Sequence, residues 1–176
     1  MAWPLLALAG PALGLVLTTC LPPDYVIVPE VNLPVSIDKA QLVGPSPDVP
    51  HILSDCDALG NMRLELDPRQ AIVNPDGDTI FSYWLVNYAT SPATRPEQDD
   101  TRTTAPFAEV FTFDACTSPD NVVGTINTIE LVVRDRPPTD ETTGTGVHEV
   151  GDSDTTIDSV VWFVEVESTT CCGVVQ

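Results

Sequence analysis

Basic residues are scarce: 7 Lys and Arg stand against 26 Asp and Glu in 176 residues, a formal charge of -19. So few cations exclude a nucleic-acid partner and charge-driven binding to an anionic membrane surface. Cations are better company, and the acidity also suits an exported domain that must stay soluble and monomeric. Histidine is nearly as rare, with only His51 and His148. Neither lies in a nucleophile motif such as Gly-x-Ser-x-Gly. His148 adjoins Glu149, but neighbours in an extended chain point to opposite faces, so the two do not form a base and its orienting carboxylate. Zinc spacing is missing as well, since Cys171 and Cys172 are adjacent and neither histidine is close by. No enzymatic activity is therefore expected. A secreted hydrolase using some pair among the many carboxylates is the alternative furthest from the residues.

Apolar runs long enough to span a bilayer are also lacking. Leu5 to Leu17 is short and broken by Gly10, Pro11 and Gly14, which suits the apolar region of a secretory leader over residues 1–19. Residues 20–50 carry Pro22, Pro23, Pro29, Pro34, Pro45, Pro47 and Pro50, which deny helix and keep a tether extended. Tyr25 to Val28 and Leu33 to Ile37 could add edge strands within it.

No helical periodicity follows the leader. Residues 72–88 organise the rest: Asn74, Pro75, Asp76 and Gly77 form a turn, and a β-branched, aromatic strand follows. Period two places Ile80, Trp84, Val86 and Tyr88 largely on one face. Met62, Leu64 and Leu66 alternate within 61–67, and Phe107, Phe111 and Phe113 mark another strand. Ile129, Leu131 and Val133 alternate against Thr128, Glu130, Val132 and Arg134. Val160, Trp162, Val164 and Val166 share one face of 157–166, with Val161 and Phe163 on the other. Residues 89–106 and 136–154 read as long polar loops. The fold class is all-β, an antiparallel sandwich over 51–170 with a Cys-Cys tail at 171–176. Trp84 and Trp162 alternate with Val and Ile, which favours the core over an exposed sugar-stacking platform.

Two resemblances sharpen this reading. Leu17-Thr18-Thr19-Cys20 resembles the lipobox of bacterial lipoproteins, in which the cysteine is acylated and begins the mature chain. Thr19 stands where that family usually has Gly, Ala or Ser, and the leader lacks Lys and Arg. Cleavage by the ordinary signal peptidase would instead leave Cys20 a plain thiol. Asn74-Pro-Asp-Gly-Asp78 followed by Tyr83-Trp84 resembles the signature of bacterial PKD-like and cadherin-like immunoglobulin-type modules. Ile129 to Asp135 is similar to their penultimate strand, and Ser159 to Val166 to their closing one. With the leader, the whole is similar to the envelope lipoproteins numerous in myxobacteria. The resemblance implies a noncatalytic structural or protein-binding module, lipid-anchored at the outer membrane or cell surface. Its partners would be the membrane, through Cys20, and another envelope protein or a polysaccharide.

The same resemblance raises calcium-dependent adhesion or carbohydrate binding as the alternative. Asn74, Asp76 and Asp78 offer oxygens at alternate positions and Asp135 could approach them, as calcium requires. Asn74 replaces the first Asp of the signature and removes one carboxylate, and an Asx-type turn explains the same residues without a cofactor. Cys56, Cys116, Cys171 and Cys172 form an even set in an exported chain, so disulfides are expected. A ring between adjacent Cys171 and Cys172 is strained. Cys56 and Cys116 should therefore each pair with one of them, pinning the C-terminus to the body.

Overall fold

Alternation of apolar with polar residues carries the main strands, and the computed structural model places them where that alternation runs. It describes residues 32–57, 60–88, 95–117, 124–151, 154–167 and 172, all within one unit that begins at Asn32. The expected leader, Cys20, the Tyr25 to Val28 piece and Cys171 lie outside the described residues.

The strands are β1 (Ser36–Ile37), β2 (His51–Leu53), β3 (Arg63–Leu66), β4 (Ile72–Val73), β5 (Ile80–Val86), β6 (Gln98–Arg102), β7 (Phe111–Asp114), β8 (Ile126–Arg134) and β9 (Ile157–Val166). A five-stranded sheet has the order β2-β9-β8-β5-β6, and β1-β4 and β3-β7 form two-stranded sheets. All pairs are antiparallel except β2 on β9. The all-β expectation holds, and that parallel pair corrects the purely antiparallel one. Parallel pairing needs a long crossover rather than a hairpin, and the chain between β2 and β9 supplies it.

Inward-facing residues of all three sheets meet in one apolar cluster. It includes Met62, Leu64 and Leu66 of β3, Phe111 and Phe113 of β7, Trp84 and Val86 of β5, and Ile129, Leu131 and Val133 of β8. Val160, Trp162, Val164 and Val166 of β9 complete the face that the alternation assigned to them. Trp84 lies at the centre. Its ring stacks on Phe111 with centroids 4.9 Å apart and on Trp162 at 5.6 Å. Both indoles are buried, at 1% and 2% exposure, as their alternation with Val and Ile requires.

Four local readings change. Residues 32–50 are not wholly tether, because Val35 and Ile37 join the core and β1 pairs with β4. Side chains of β9 and of the residue just before it supply part of the anchoring. Val35 N–H donates to Thr156 Oγ1 (3.0 Å) and Ile37 N–H to Asp158 Oδ2 (2.7 Å). The polar loop at 89–106 contains β6, whose charged, half-exposed side chains are those of an edge strand that resists further pairing. The loop at 136–154 contains a short helix, α1 (Gly144–His148). Tyr88 leaves the face shared by Ile80, Trp84 and Val86, because Asn87 takes φ +56° and ends the strand twist; Tyr88 packs instead beside Tyr83 and Leu85.

The indoles differ in one respect. Trp162 Nε1 donates to Pro45 O at 2.9 Å, whereas buried Trp84 Nε1 has no partner among the described residues. Trp162→Phe strands a carbonyl and Trp84→Phe removes an unsatisfied donor. Denaturant unfolding should therefore show Trp162→Phe the more destabilised by about 1 kcal/mol. Equal losses would contradict this assignment.

Candidate functional site

Two constellations bring polar side chains together. The first lies where the 74–78 turn meets the end of β8 and contains all four residues read as calcium ligands. Asn74 Nδ2 donates to Asp78 O (2.7 Å), closing the turn on itself. Gly77 supplies the positive φ of 77° that the turn needs. Asp76 Oδ2 accepts from Leu33 N–H (2.9 Å), and Asp78 Oδ2 pairs with Arg136 Nη1 (2.8 Å). Asp135 is buried and accepts most. Thr156 N–H donates to its Oδ1 (2.8 Å), while Thr156 Oγ1 and Asn32 Nδ2 both donate to its Oδ2 (2.8 Å each). Burial pushes the Asp135 carboxyl up, but the bonds from Asn32 and Thr156 and the nearby Arg136 charge outweigh it and hold the group below its usual range. The constellation thus fastens the N-terminal strap of the body to the starts and ends of β5, β8 and β9. Each of the three carboxylates has a protein donor. Among the described residues, no group of three His, Cys, Asp or Glu side chains is arranged to hold a metal.

The second constellation lies on the outer face of the five-stranded sheet, away from the main core. Tyr83 and Leu85 of β5 and Val132 of β8 form a small apolar cluster closed by Val147 of α1. The sequence builds this cover locally. Asp140 accepts from Thr142 N–H (2.8 Å), Thr142 Oγ1 (2.6 Å) and Thr143 Oγ1 (3.2 Å), and Thr143 caps α1 by accepting from Gly146 N–H (3.1 Å). Gly146 is required because a Cβ there would stand 2.0 Å from Asp140 O.

Charged groups then pin the cover from below. Arg134, 1% exposed, donates from Nη1 to Val147 O (2.7 Å) and from Nε to Arg136 O (2.6 Å). Tyr83 OH reaches Glu141 Oε1 at 3.4 Å; burial and the Glu141 charge push the Tyr83 phenol above its ordinary range. His148 Nε2 lies 3.0 Å from Glu130 Oε1 and Nδ1 lies 2.7 Å from Gly144 O, with the Tyr88 ring stacked on the imidazole at 4.3 Å. The Glu130 bond raises His148, burial opposes it, and the Gly144 carbonyl adds to the rise. The sequence reading considered Glu149 beside His148. The carboxylate that meets the ring is Glu130, which the antiparallel register places on the outer face opposite Leu85 and Val161.

Elsewhere, Cys116 is bonded to Cys172 with Cα atoms 5.0 Å apart, one of the two pairings expected for Cys116. Cys56 is disulfide-bonded too. An open groove of about 470 Å³ is lined by Val43, Asp67, Arg69, Gln70, Ala105 and Pro106. Its cation is already engaged, since Arg69 Nε and Nη2 bond both Asp67 oxygens (2.9 and 2.6 Å). No protein-family model, curated protein or solved structure matches the chain.

Asp135 provides the test of the first constellation. Its folded-state acidity is strengthened, so the stability it contributes is present above the unfolded value near ~3.9 and is lost as pH falls through the lower folded value. Asp135→Ala should cost about 1–3 kcal/mol at neutral pH, because it leaves Thr156 and Asn32 donors unpaired. The gap from the wild type should narrow in acid. A cost that does not vary with pH would contradict a role for the carboxylate charge.

Proposed function

We propose that the chain is an exported, noncatalytic module of a bacterial cell envelope, anchored by an acylated Cys20, whose body acts as a structural or protein-binding unit. The body is read as an immunoglobulin-like sandwich, with β3-β7 lying over the inner face of the five-stranded sheet. Support for two layers comes from the shared apolar cluster and from Trp84 of β5 stacking on Phe111 of β7. The observation that carries export is the Cys116–Cys172 bond together with disulfide-bonded Cys56, because such bonds persist in oxidising compartments. A leader over 1–19 delivers the chain there, and a proline-rich stretch after Cys20 spaces the body from the lipid.

The anchor is tested by the intact mass of the protein extracted from membranes. The mature chain is expected to begin at Cys20 and to carry acyl groups, and Cys20→Ala should move it to the soluble exported fraction. A first residue other than Cys20 would overturn the anchor. Calcium separates this reading from calcium-dependent adhesion or carbohydrate binding. Leu33 N–H, Arg136 and Thr156 already occupy the Asp76, Asp78 and Asp135 carboxylates, so calcium up to about millimolar should leave the thermal midpoint unchanged. A rising midpoint would favour the adhesion reading.

A further inference from the structure

His148 is placed so that both ring nitrogens face oxygen acceptors. Gly144 O lies 2.7 Å from Nδ1 and Glu130 Oε1 lies 3.0 Å from Nε2. A neutral imidazole has one N–H and one lone pair, so it can donate to only one of the two. An imidazolium donates to both. Placed on Glu130 instead, the same proton serves the same bond, so the arrangement needs one proton more than a neutral ring beside a carboxylate. Both side chains are largely enclosed, at 26% exposure for His148 and 12% for Glu130, so solvent cannot easily make good a lost contact. The stacked Tyr88 ring further favours a cation in this position.

What this contact holds is the cover of the outer sheet face. Residues 136–149 cross β5 and β8, and Val147 closes the cluster of Tyr83, Leu85 and Val132. The other pins are Arg134 to Val147 O and Tyr83 to Glu141. We propose that residues 136–149 are a pH-gated strap: the proton shared by His148 and Glu130 clamps it on the sheet, and loss of that proton frees its His148 end and uncovers Leu85 and Val132.

The charged and titratable groups that act on or touch His148 are Glu130 and Arg134 on β8 and Tyr88 just after β5, while Tyr83 of β5 and Glu141 of the strap engage each other and Glu149 follows His148 in the chain. Asp99 of β6 stands in register with Tyr83. Burial lowers Arg134 and raises Tyr83, yet an arginine stays cationic and a raised phenol stays neutral across the range in which histidine titrates. The sign follows from the direction at His148. Its folded-state value is raised, so the clamp is fully present below the unfolded value near ~6.5 and is lost as pH climbs through the raised one.

Amide hydrogen exchange from about pH 5 to about pH 9, corrected for the intrinsic rate, reads the strap directly. Val147 and Glu149 N–H are bonded to Thr143 O and Gly146 O within it. Their protection is expected to fall several-fold across the titration of the His148 ring followed by proton NMR, while Leu131 in β8 keeps its own. His148→Gln should flatten the dependence, and His51→Gln should leave it intact. If His148→Gln does not fold, the wild type still decides, because the fall in protection must coincide with the ring titration. Protection that stays flat through that titration, or a fall that persists in folded His148→Gln, would overturn the strap.

Discussion

The fold depends on one stack of aromatic rings. Trp84 is the residue at which three strands meet, because β5 carries it, β7 supplies Phe111 on one side and β9 supplies Trp162 on another. Large aromatics bury more surface than any other side chain, and an offset pair adds about 0.5–1.5 kcal/mol beyond burial. Losing such a ring from a core costs about 3–5 kcal/mol, a large part of the margin of an ordinary domain. The stack also fixes register. Trp84 is opposite Leu131 and Trp162 is opposite Ile129, so a slip of one residue in β5 or β9 would carry an indole to the outer face. The disulfide from Cys116, just after β7, to Cys172 fastens the chain beyond β9 to the same region.

The sequence made the strands with strict alternation legible. Met62, Leu64 and Leu66, then Ile129, Leu131 and Val133, and Val160 to Val166 point inward as their spacing requires. What it hid were the pieces whose pairing is dictated by neighbours. β6, Gln98-Asp-Asp-Thr-Arg102, has no apolar face because it ends the sheet, and nothing local marks it as a strand. β1 follows a proline and takes much of its anchoring from Thr156 and Asp158 side chains, a dependence no window of sequence contains. Helix α1 is too short for periodicity, and its Gly146 exists for the approach of Asp140 rather than for helix. The turn of Tyr88 to the outer face follows from one residue, Asn87, in the left-handed region that asparagine tolerates.

The two polar constellations were legible to different degrees. Asn74, Asp76, Asp78 and Asp135 were singled out by their spacing at one turn and one strand end, and each is engaged by its own protein partner. The carboxylates of Asp76, Asp78 and Asp135 accept from Leu33, Arg136, Asn32 and Thr156, and Asn32 and Leu33, far from the turn in the chain, could not be seen from the turn alone. The contact between His148 and Glu130 had no sequence signal, since the residues lie on different elements. Only the register of β8, with its even-numbered residues outward, shows that Glu130, Val132 and Arg134 form one row beneath the 136–149 segment. Alternation set Arg134 on the face opposite Ile129, Leu131 and Val133, and its guanidinium is buried there because that segment's carbonyls come down to meet it.

The integrity of this fold rests on keeping both indoles dry. Fluorescence of the full chain carrying Trp3→Phe, which leaves Trp84 and Trp162 as the sole indoles, measures this directly. Buried indoles predict blue-shifted emission, scarcely quenched by acrylamide until the chain is unfolded. Emission like that of free tryptophan, quenched in the native protein as readily as in denaturant, would contradict the account.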